Sequence, residues 1–214
     1  MKEEKKTIKK KKIKFIKILI FSLVLYIIGY FIFQVFNGPI KNIYIHDNFY
    51  LSDQDIIDIA KLEDYPSFIL TTKYSIKKNL LKNSLIKNVI VKKNITKRID
   101  IYIEENRPLF YCLNTKKTLL DNGESTSKKF NIPILNNSME EENLNKLVKK
   151  MSELKDEVIL KISEIEYKPN EIDKERIMLT MTDGNYVYLT LYKFEKINEY
   201  NDILPSLEGK LGIL

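Results

Sequence analysis

Residues 18–36 read ILIFSLVLYIIGYFIFQVF, a run of nineteen positions without a charged side chain. The uncharged stretch continues to Ile40, and Lys41 is the first charge after it. A helix that rises about 1.5 Å per residue spans roughly 28 Å over such a run, close to the hydrocarbon thickness of a bilayer. The stretch therefore predicts a transmembrane helix within residues 18–40.

A cleaved signal peptide is the alternative interpretation of an apolar segment near an N-terminus. Its apolar region would cover about 7–15 residues and would be followed by small residues at a cleavage site. Here the run is longer and ends in Phe36-Asn37-Gly38-Pro39, without an A-x-A-like stretch. These features favour a permanent anchor.

The excess positive charge of the chain lies before this anchor. The formal net charge is +7, and residues 1–17 hold nine lysines and two glutamates. The rest of the chain has 27 basic and 27 acidic side chains and is therefore formally neutral. This distribution argues against a nucleic-acid-binding domain, which needs a cationic surface on the folded body. It predicts a cytoplasmic N-terminus and an extracytoplasmic C-terminal part, and leaves open whether the lysine tail also binds anionic lipid.

The region after the anchor has the pattern of a small α+β unit. Apolar and β-branched runs predict strands over residues 42–46, 86–91 and 99–103. Ser52, followed by acidic residues, predicts the start of one helix, and a second helix is expected over residues 75–81. This order of strand, helix, helix, strand and strand predicts two helices against a three-stranded sheet.

Arg107-Pro108 marks the start of a second, β-rich region. The sequence predicts strands over residues 109–113, 118–121, 132–135, 162–167, 176–181 and 186–191, and helices over 140–154 and 194–204. The segment Thr182-Asp183-Gly184-Asn185 predicts a hairpin between the last two of these strands. The final residues, 209–214, have the pattern of one more strand.

Enzyme chemistry finds little support in the composition. A membrane-anchored envelope enzyme such as a cysteine transpeptidase is the alternative function, and it would have to use His46 and Cys112, the single histidine and the single cysteine. Such a mechanism needs His and Arg beside the thiolate. His46 falls in the first unit and Cys112 in a strand of the second, and no arginine follows Cys112 until Arg176. We predict no catalytic residue.

Metal and cofactor sites are not expected either. Zinc requires several His or Cys ligands, and the chain has one of each. A phosphate-binding loop requires clustered glycines, whereas six glycines are scattered along the chain. The sequence therefore predicts neither a metal nor a cofactor.

The order of these elements behind one anchor resembles the FtsQ/DivIB family of bacterial cell-division proteins. The resemblance rests on five segments: 43–48 (IYIHDN), 86–91 (IKNVIV), 101–108 (IYIEENRP), 119–123 (LLDNG) and 132–135 (IPIL). Asn106 departs from the pattern, because the family usually has arginine at this place in the boundary motif. The family's last strand would begin near residue 214, so here it is either very short or cut off.

The resemblance implies an α+β fold in four regions. These are a basic cytoplasmic tail (1–17), a transmembrane helix (18–40), a POTRA domain of order β-α-α-β-β (41–107), and a β-rich domain with peripheral helices and a C-terminal edge strand (108–214).

The resemblance also implies a function without catalysis. Such proteins act as assembly factors of the divisome at the division septum, where they bind other single-pass membrane proteins of the FtsB/DivIC and FtsL type. In the family, partner binding looks like strand addition to the end of the β domain, since an edge strand presents unpaired N–H and C=O groups. In this sequence that edge corresponds to Lys210, Leu211, Gly212, Ile213 and Leu214, with residues 186–191 as a possible neighbour. Nucleic acid and small-molecule substrates are not implied.

Overall fold

The computed structural model describes residues 2–207 and 212. It has the predicted mixed α+β architecture, with an N-terminal apolar helix, an α+β region and a β-rich region. The chain divides into two units, one of residues 1–47, 52–80 and 89–102, the other of 48–51, 81–88 and 103–214. The short segments 48–51 and 81–88 therefore belong with the β-rich part.

The first helix, α1, runs Lys2–Phe36. Its segment Phe15–Gln34 has a mean hydropathy of 2.4, and none of it is buried against the protein. Among the described residues this is the one helix long and apolar enough to cross a membrane. The helix ends at Phe36, and residues 37–40 leave it because Gly38 and Pro39 are poor helix formers.

Five elements follow α1 in the predicted order. They are β1 (Asn42–His46), α2 (Asp53–Ala60), α3 (Lys73–Leu80), β2 (Ile86–Lys93) and β3 (Arg98–Glu105). Within this described segment β3 lies between β1 and β2, and β1 is parallel to β3, with Ile43 opposite Ile99. A parallel pair needs a long crossover connection, and α2 and α3 lie within it.

The start of α2 is fixed by the capping interaction that the sequence predicts. The Ser52 hydroxyl accepts the Asp55 backbone N–H at 3.1 Å, and the Asp55 carboxylate accepts the Ser52 N–H at 3.1 Å. These two bonds satisfy backbone donors that a helix N-terminus leaves unpaired. At the other end, Lys61 adopts the left-handed conformation with φ 60° and stops the helix.

Strand β3 supplies the middle of the first unit's core, with Ile99 and Ile101 fully buried. The alternation of the strand predicts that Asp100 faces away from this core, yet Asp100 is only 4% exposed. It is covered because Arg98 Nε lies 3.0 Å from both of its carboxylate oxygens and His46 Nε2 lies 3.4 Å away. The Arg98 guanidinium holds the pKa of Asp100 below its usual value.

The described part of the second unit contains a seven-stranded sheet. Its strands are β4 (Pro108–Cys112), β5 (Lys117–Leu120), β6 (Ser125–Thr126), β7 (Ile134–Leu135), β8 (Ile162–Tyr167), β9 (Arg176–Met181) and β10 (Tyr186–Thr190). Their spatial order is β10-β9-β8-β7-β4-β5-β6. The short strand β7 is parallel to both neighbours, β4 and β8, and the other pairs are antiparallel.

Helices pack against the buried side of this sheet. They are α4 (Glu141–Ser152), α5 (Asp156–Ile159), a 3-10 segment (Leu191–Glu199), α6 (Tyr200–Ile203) and a second 3-10 turn (Leu204–Leu207). The core joins Leu147 and Met151 of α4 to Ile165, Ile177 and Leu179 of the strands. Residues 194–204, expected as one helix, are helical throughout, but the helix type changes from 3-10 to α at Tyr200 and back to 3-10 at Leu204.

Arg107 closes the C-terminal end of α4. Its guanidinium donates to the carbonyls of Ser152 at 2.7 Å and Leu154 at 3.1 Å and forms an ion pair with Asp156. The last carbonyls of a helix have no partner within it, and a cation there also complements the helix dipole. The residue that the sequence identifies as a boundary thus stabilises a helix that begins 34 positions later.

Glu105 binds a loop that precedes it by more than fifty residues. One carboxylate oxygen accepts the backbone N–H groups of Phe49 and Tyr50, both at 2.6 Å, and the other accepts that of Leu51 at 2.8 Å. Hydrogen bonds to a charged group are stronger than neutral ones. The carboxylate therefore fixes the conformation of residues 49–51.

We expect Glu105→Gln to lower the free energy of unfolding by about 1.5–3 kcal/mol, because the amide replaces a charged acceptor and offers one oxygen instead of two. Urea unfolding of the full chain in detergent, followed by circular dichroism, measures this. The matched control is Glu104→Gln, whose carboxylate forms an exposed ion pair with Lys87 at 2.7 Å, and which should leave the midpoint nearly unchanged. Equal losses in the two variants would contradict the role of Glu105.

Candidate functional site

The predicted site at the C-terminus lies partly within the described residues. Lys210, Leu211, Ile213 and Leu214 fall outside them, whereas Gly212 is described. The Gly212 carbonyl accepts the Tyr186 backbone N–H at 3.1 Å, and its own N–H donates to the Asn185 side-chain oxygen at 3.0 Å. Gly212 is thus bonded to the first residue of β10. The five-residue site as a whole stays a prediction.

The backbone groups of β10 alternate between its neighbour β9 and the outside. The Asn185 carbonyl accepts the Met181 N–H at 2.8 Å, and the Leu191 N–H donates to the Glu175 carbonyl at 3.1 Å. The backbone groups of the odd-numbered residues therefore pair with β9. Because successive residues of a strand present their N–H and C=O groups in opposite directions, Tyr186, Tyr188 and Thr190 direct theirs outward. The Tyr186 N–H, which donates to the Gly212 carbonyl, is one of these outward groups. Among the described strands, none lies beyond β10.

Side chains at this edge add an aromatic surface. Tyr186 is 43% exposed, and Tyr188 is half-buried with the Arg176 guanidinium 4.2 Å from the centre of its ring. A guanidinium over an aromatic ring is an attractive arrangement, and it restricts the orientation of the tyrosine. The edge therefore offers a row of backbone donors and acceptors with the aromatic side chains of Tyr186 and Tyr188 beside it.

The hairpin that leads into β10 is the one predicted from the sequence. Gly184 has φ 89°, a conformation that glycine adopts without strain, and the Gly184 N–H donates to the Met181 carbonyl at 3.0 Å. The Asp183 carboxylate accepts the Asn185 N–H at 3.1 Å, which closes the turn from within. β9 and β10 then pair in register, with Val187 opposite Leu179.

Tyr200 of α6 holds this hairpin in place. Its hydroxyl donates to the two Asp183 carboxylate oxygens, at 2.8 and 3.0 Å, and accepts the Asn185 side-chain N–H at 3.0 Å. Burial raises the pKa of the Tyr200 hydroxyl, and the adjacent Asp183 carboxylate acts in the same direction. The hydroxyl therefore keeps its proton and remains a donor. Since Asn185 also binds Gly212, the network extends from α6 to the outer edge of the sheet.

Sequence reasoning missed Tyr200 and the role of Asn185. The turn composition identified Asn185 as a hairpin residue, and its buried side chain gave no separate signal. Tyr200 stands 15 residues further on, in a segment predicted only as a helix. No local pattern indicates that its hydroxyl reaches the hairpin.

The two residues of the alternative enzyme interpretation, His46 and Cys112, lie in different units. Cys112 is buried in β4, and burial raises the pKa of its thiol to about 11, so the thiol stays protonated at neutral pH. His46 belongs to the other unit, where its ring stacks on Tyr102 with 4.6 Å between centroids. In the described part of the chain, no group of three or more His, Cys, Asp or Glu side chains is placed to hold a metal ion.

Comparison with known proteins gives the family. The POTRA domain, FtsQ-type, matches residues 38–106. The cell division protein DivIB of Bacillus anthracis is 31% identical over 221 residues, an alignment that covers 100% of this chain and 82% of the relative. The chain belongs to the FtsQ/DivIB family. The resemblance found in the sequence is thereby confirmed, and the chain is a relative of cell division proteins.

The chain is also similar to other DivIB proteins. DivIB of Bacillus cereus is 32% identical over 183 residues, covering 82% of this chain and 72% of the relative. DivIB of Bacillus subtilis is 26% identical over 206 residues, covering 92% and 78%. A solved structure of the major extracytoplasmic domain of DivIB from Geobacillus stearothermophilus is 26% identical with a TM-score of 0.41, and covers 50% of this chain and 98% of that domain.

The departure of this DivIB relative at Asn106 has a structural counterpart. Asn106 is 3% exposed, and its side-chain N–H donates to the Ser84 carbonyl at 2.7 Å while its backbone N–H donates to that of Leu85 at 2.8 Å. The next residue, Arg107, supplies the cation that binds α4. In this chain Asn106 and Arg107 thus bind different segments, Asn106 the residues 84–85 and Arg107 the end of α4.

We expect Tyr200→Phe to lower the free energy of unfolding by about 1–2 kcal/mol, because Asp183 and Asn185 lose their shared partner. It should also speed amide hydrogen exchange at Tyr186 relative to the centre of β9. Urea unfolding and hydrogen exchange of the full chain measure the two effects. Tyr192→Phe is the control, since Tyr192 is 75% exposed. Unchanged exchange at Tyr186 in Tyr200→Phe would contradict the proposed link.

Proposed function

We propose that this FtsQ/DivIB relative is an assembly protein of the divisome that binds other single-pass division proteins at the septum and catalyses no reaction. The observation that carries the proposal is the outer edge of β10, with the backbone groups of Tyr186, Tyr188 and Thr190 directed away from the sheet. Family membership supports the role in division, and the edge supports the mode of binding.

The mode of binding is strand addition. A partner segment in extended conformation pairs with outward N–H and C=O groups, which give affinity, while neighbouring side chains give specificity. The bond between Gly212 and Tyr186 supports a C-terminal segment, Lys210 to Leu214, as the strand next to β10. The partner then adds to that segment. By family resemblance the partners are single-pass proteins of the FtsB/DivIC and FtsL type.

We propose that this edge lies outside the cytoplasm. Nine lysines precede residue 18, where the predicted transmembrane helix begins, and such clusters remain on the cytoplasmic side. The POTRA domain (41–107) and the β domain (108–214) are then extracytoplasmic, and their septal position follows from their partners. The buried, protonated Cys112 thiol supports a scaffold over a cysteine transpeptidase.

A proline at position 188 tests the edge directly. Tyr188→Pro removes an outward N–H that would pair with segment 210–214, the strand to which the partner adds, and so weakens the hold of β10 on that segment while leaving the bonds to β9 intact; proline is tolerated on edge strands. We expect capture of partner proteins by the tagged full chain, from detergent-solubilised membranes, to fall about fivefold or more, the equivalent of one hydrogen bond.

The matched control is Tyr188→Ala, which keeps the N–H and removes the ring. It should retain most of the captured partner, and both variants should show the wild-type urea midpoint within error. If the proline variant folds and captures partners as well as the alanine variant does, strand addition at this edge is wrong.

Depletion in the native host tests the cellular role. We expect filamentous cells that fail to divide, because a scaffold missing from the divisome prevents its assembly, and we expect a fluorescent fusion to collect at mid-cell. A chain carrying Cys112→Ala should restore normal division, since the thiol has no chemical role. An even distribution of the fluorescent fusion around the envelope, or filamentous cells in the presence of the Cys112→Ala chain, would contradict the proposal.

A further inference from the structure

The segment that leaves α1 is bonded directly to two loops of the first unit. Residues 37–41 hold loop 65–72 and turn 94–97 through four hydrogen bonds: Ser67 Oγ to Asn37 Oδ1 at 2.5 Å, Phe68 N–H to Gly38 O at 3.0 Å, Ile40 N–H to Pro66 O at 3.1 Å, and Lys41 N–H to Lys97 O at 2.9 Å. Asn37, which accepts the first of these bonds, is the residue immediately after α1. Both loops therefore lie where the chain leaves the candidate span.

Lys93 joins these two loops to each other. It stands at the end of β2, directly before turn 94–97, and its Nζ donates to the carbonyls of Phe68 and Thr71, the latter at 2.6 Å. The same Nζ lies 4.1 Å from the centre of the Phe68 ring. The relative position of loop and turn is thus fixed by contacts within the first unit.

Large apolar side chains stand exposed on both loops. Ile95 is 88% exposed at the tip of the turn, and Leu70 is 68% exposed in the loop, beside Tyr65 at 49% and Ile69 at 38%. Exposed lysines accompany them, Lys41 after the span and Lys73 at the start of α3. We call these six residues the exit face. Isolated exposed apolar residues are common, whereas a group of them with lysines is typical of surfaces that bind lipid headgroups.

The distance to the bilayer is short. An extended chain covers at most about 3.3–3.6 Å per residue, so the five residues 37–41 reach no further than about 18 Å from the end of the span. The headgroup layer is about 5–8 Å thick on each side of the hydrocarbon. Asn37 lies within this layer when α1 spans the membrane, and Ser67, bonded to it, lies there as well.

We propose that the exit face docks on the outer leaflet of the membrane that holds α1, with Leu70 and Ile95 inserted between headgroups and Lys41 and Lys73 against lipid phosphates. The proposal rests on the proposed membrane anchoring of α1. Its occupant is an anionic lipid surface, because the span already brings that surface to these loops and because the exposed charges of the exit face itself, Lys41 and Lys73, are cationic, the acidic Glu63 and Asp64 standing before Tyr65 at the start of the loop. Docking holds the first unit against the bilayer and prevents it from swinging on the exit segment.

Single tryptophans test the docking, since the chain has none of its own. The full chain is reconstituted in liposomes of phosphatidylcholine and phosphatidylglycerol that contain lipids brominated near the headgroup end of the acyl chain. We expect strong quenching of tryptophan emission in Leu70→Trp and in Ile95→Trp. Ile172→Trp is the matched control, 97% exposed in the loop between β8 and β9, and should not be quenched.

A tryptophan inside the span separates this proposal from the anchoring on which it rests. Leu25→Trp should be quenched by lipids brominated deep in the chain whenever α1 spans the membrane. Quenching of Leu25→Trp without quenching at positions 70 and 95 overturns the docking and leaves the anchor standing. Absence of quenching at all three positions overturns both. If tryptophans at positions 70 and 95 become shielded from water only after partner membrane proteins are added, the docking on lipid is also overturned, and the exit face is a protein-binding surface.

Lysine substitutions test the choice of anionic lipid. In the Ile95→Trp background, Lys41→Gln and Lys73→Gln should each lower the ratio of docked to undocked chain about fivefold, the equivalent of roughly 1 kcal/mol per lysine near an anionic surface. Lys174→Gln, in the same loop as Ile172, should leave the ratio unchanged. Equal effects of all three substitutions would overturn the electrostatic contribution of the exit face.

Discussion

The second unit depends on three consecutive side chains, Glu105, Asn106 and Arg107, that bind backbone groups of distant segments. Glu105 accepts the N–H groups of residues 49–51, Asn106 donates to the carbonyl of Ser84, and Arg107 donates to the carbonyls at the end of α4. Buried or half-buried backbone groups outside helices and strands must find partners, because leaving one unpaired costs about as much as a lost hydrogen bond. Residues 105–107 thus supply hydrogen-bond partners for backbone groups of three segments, groups that are not paired within a helix or a sheet.

The local elements could be predicted from the sequence, whereas the pairing of strands that are distant in the chain could not. The capping box at Ser52 and Asp55 and the turn at Asp183-Gly184 are determined by neighbours in the chain, so the sequence predicts them directly. The parallel pairings of β1 with β3 and of β7 with its neighbours join residues tens of positions apart. Alternation shows which face of a strand is apolar, but it contains no information about which strand lies beside it.

The buried polar residues show the same limit. Alternation assigns Asp100 to the solvent face of β3, but Arg98 and His46 cover it and make burial possible. Tyr200 is an ordinary helical position by its spacing, yet its hydroxyl joins Asp183 to Asn185. In both cases a polar group is buried because partners from elsewhere in the fold satisfy it. Such partners become visible only when the strands and helices are assembled, which is why the sequence identified the hairpin and missed the tyrosine that holds it.

Recognition at an edge strand and recognition at a lipid surface place different demands on a sequence. Strand addition uses N–H and C=O groups that every residue except proline supplies, so the edge depends on register and on the hairpin that sets it more than on particular side chains. A lipid surface requires only exposed apolar and cationic side chains near the span, whatever their order. Both of the proposed kinds of recognition therefore tolerate wide variation in sequence. What such recognition needs is geometry, which in this chain is set by Gly184 in the turn, by Asn185 and Tyr200 behind the edge, and by the bonds from residues 37–41 to the two loops beside the span.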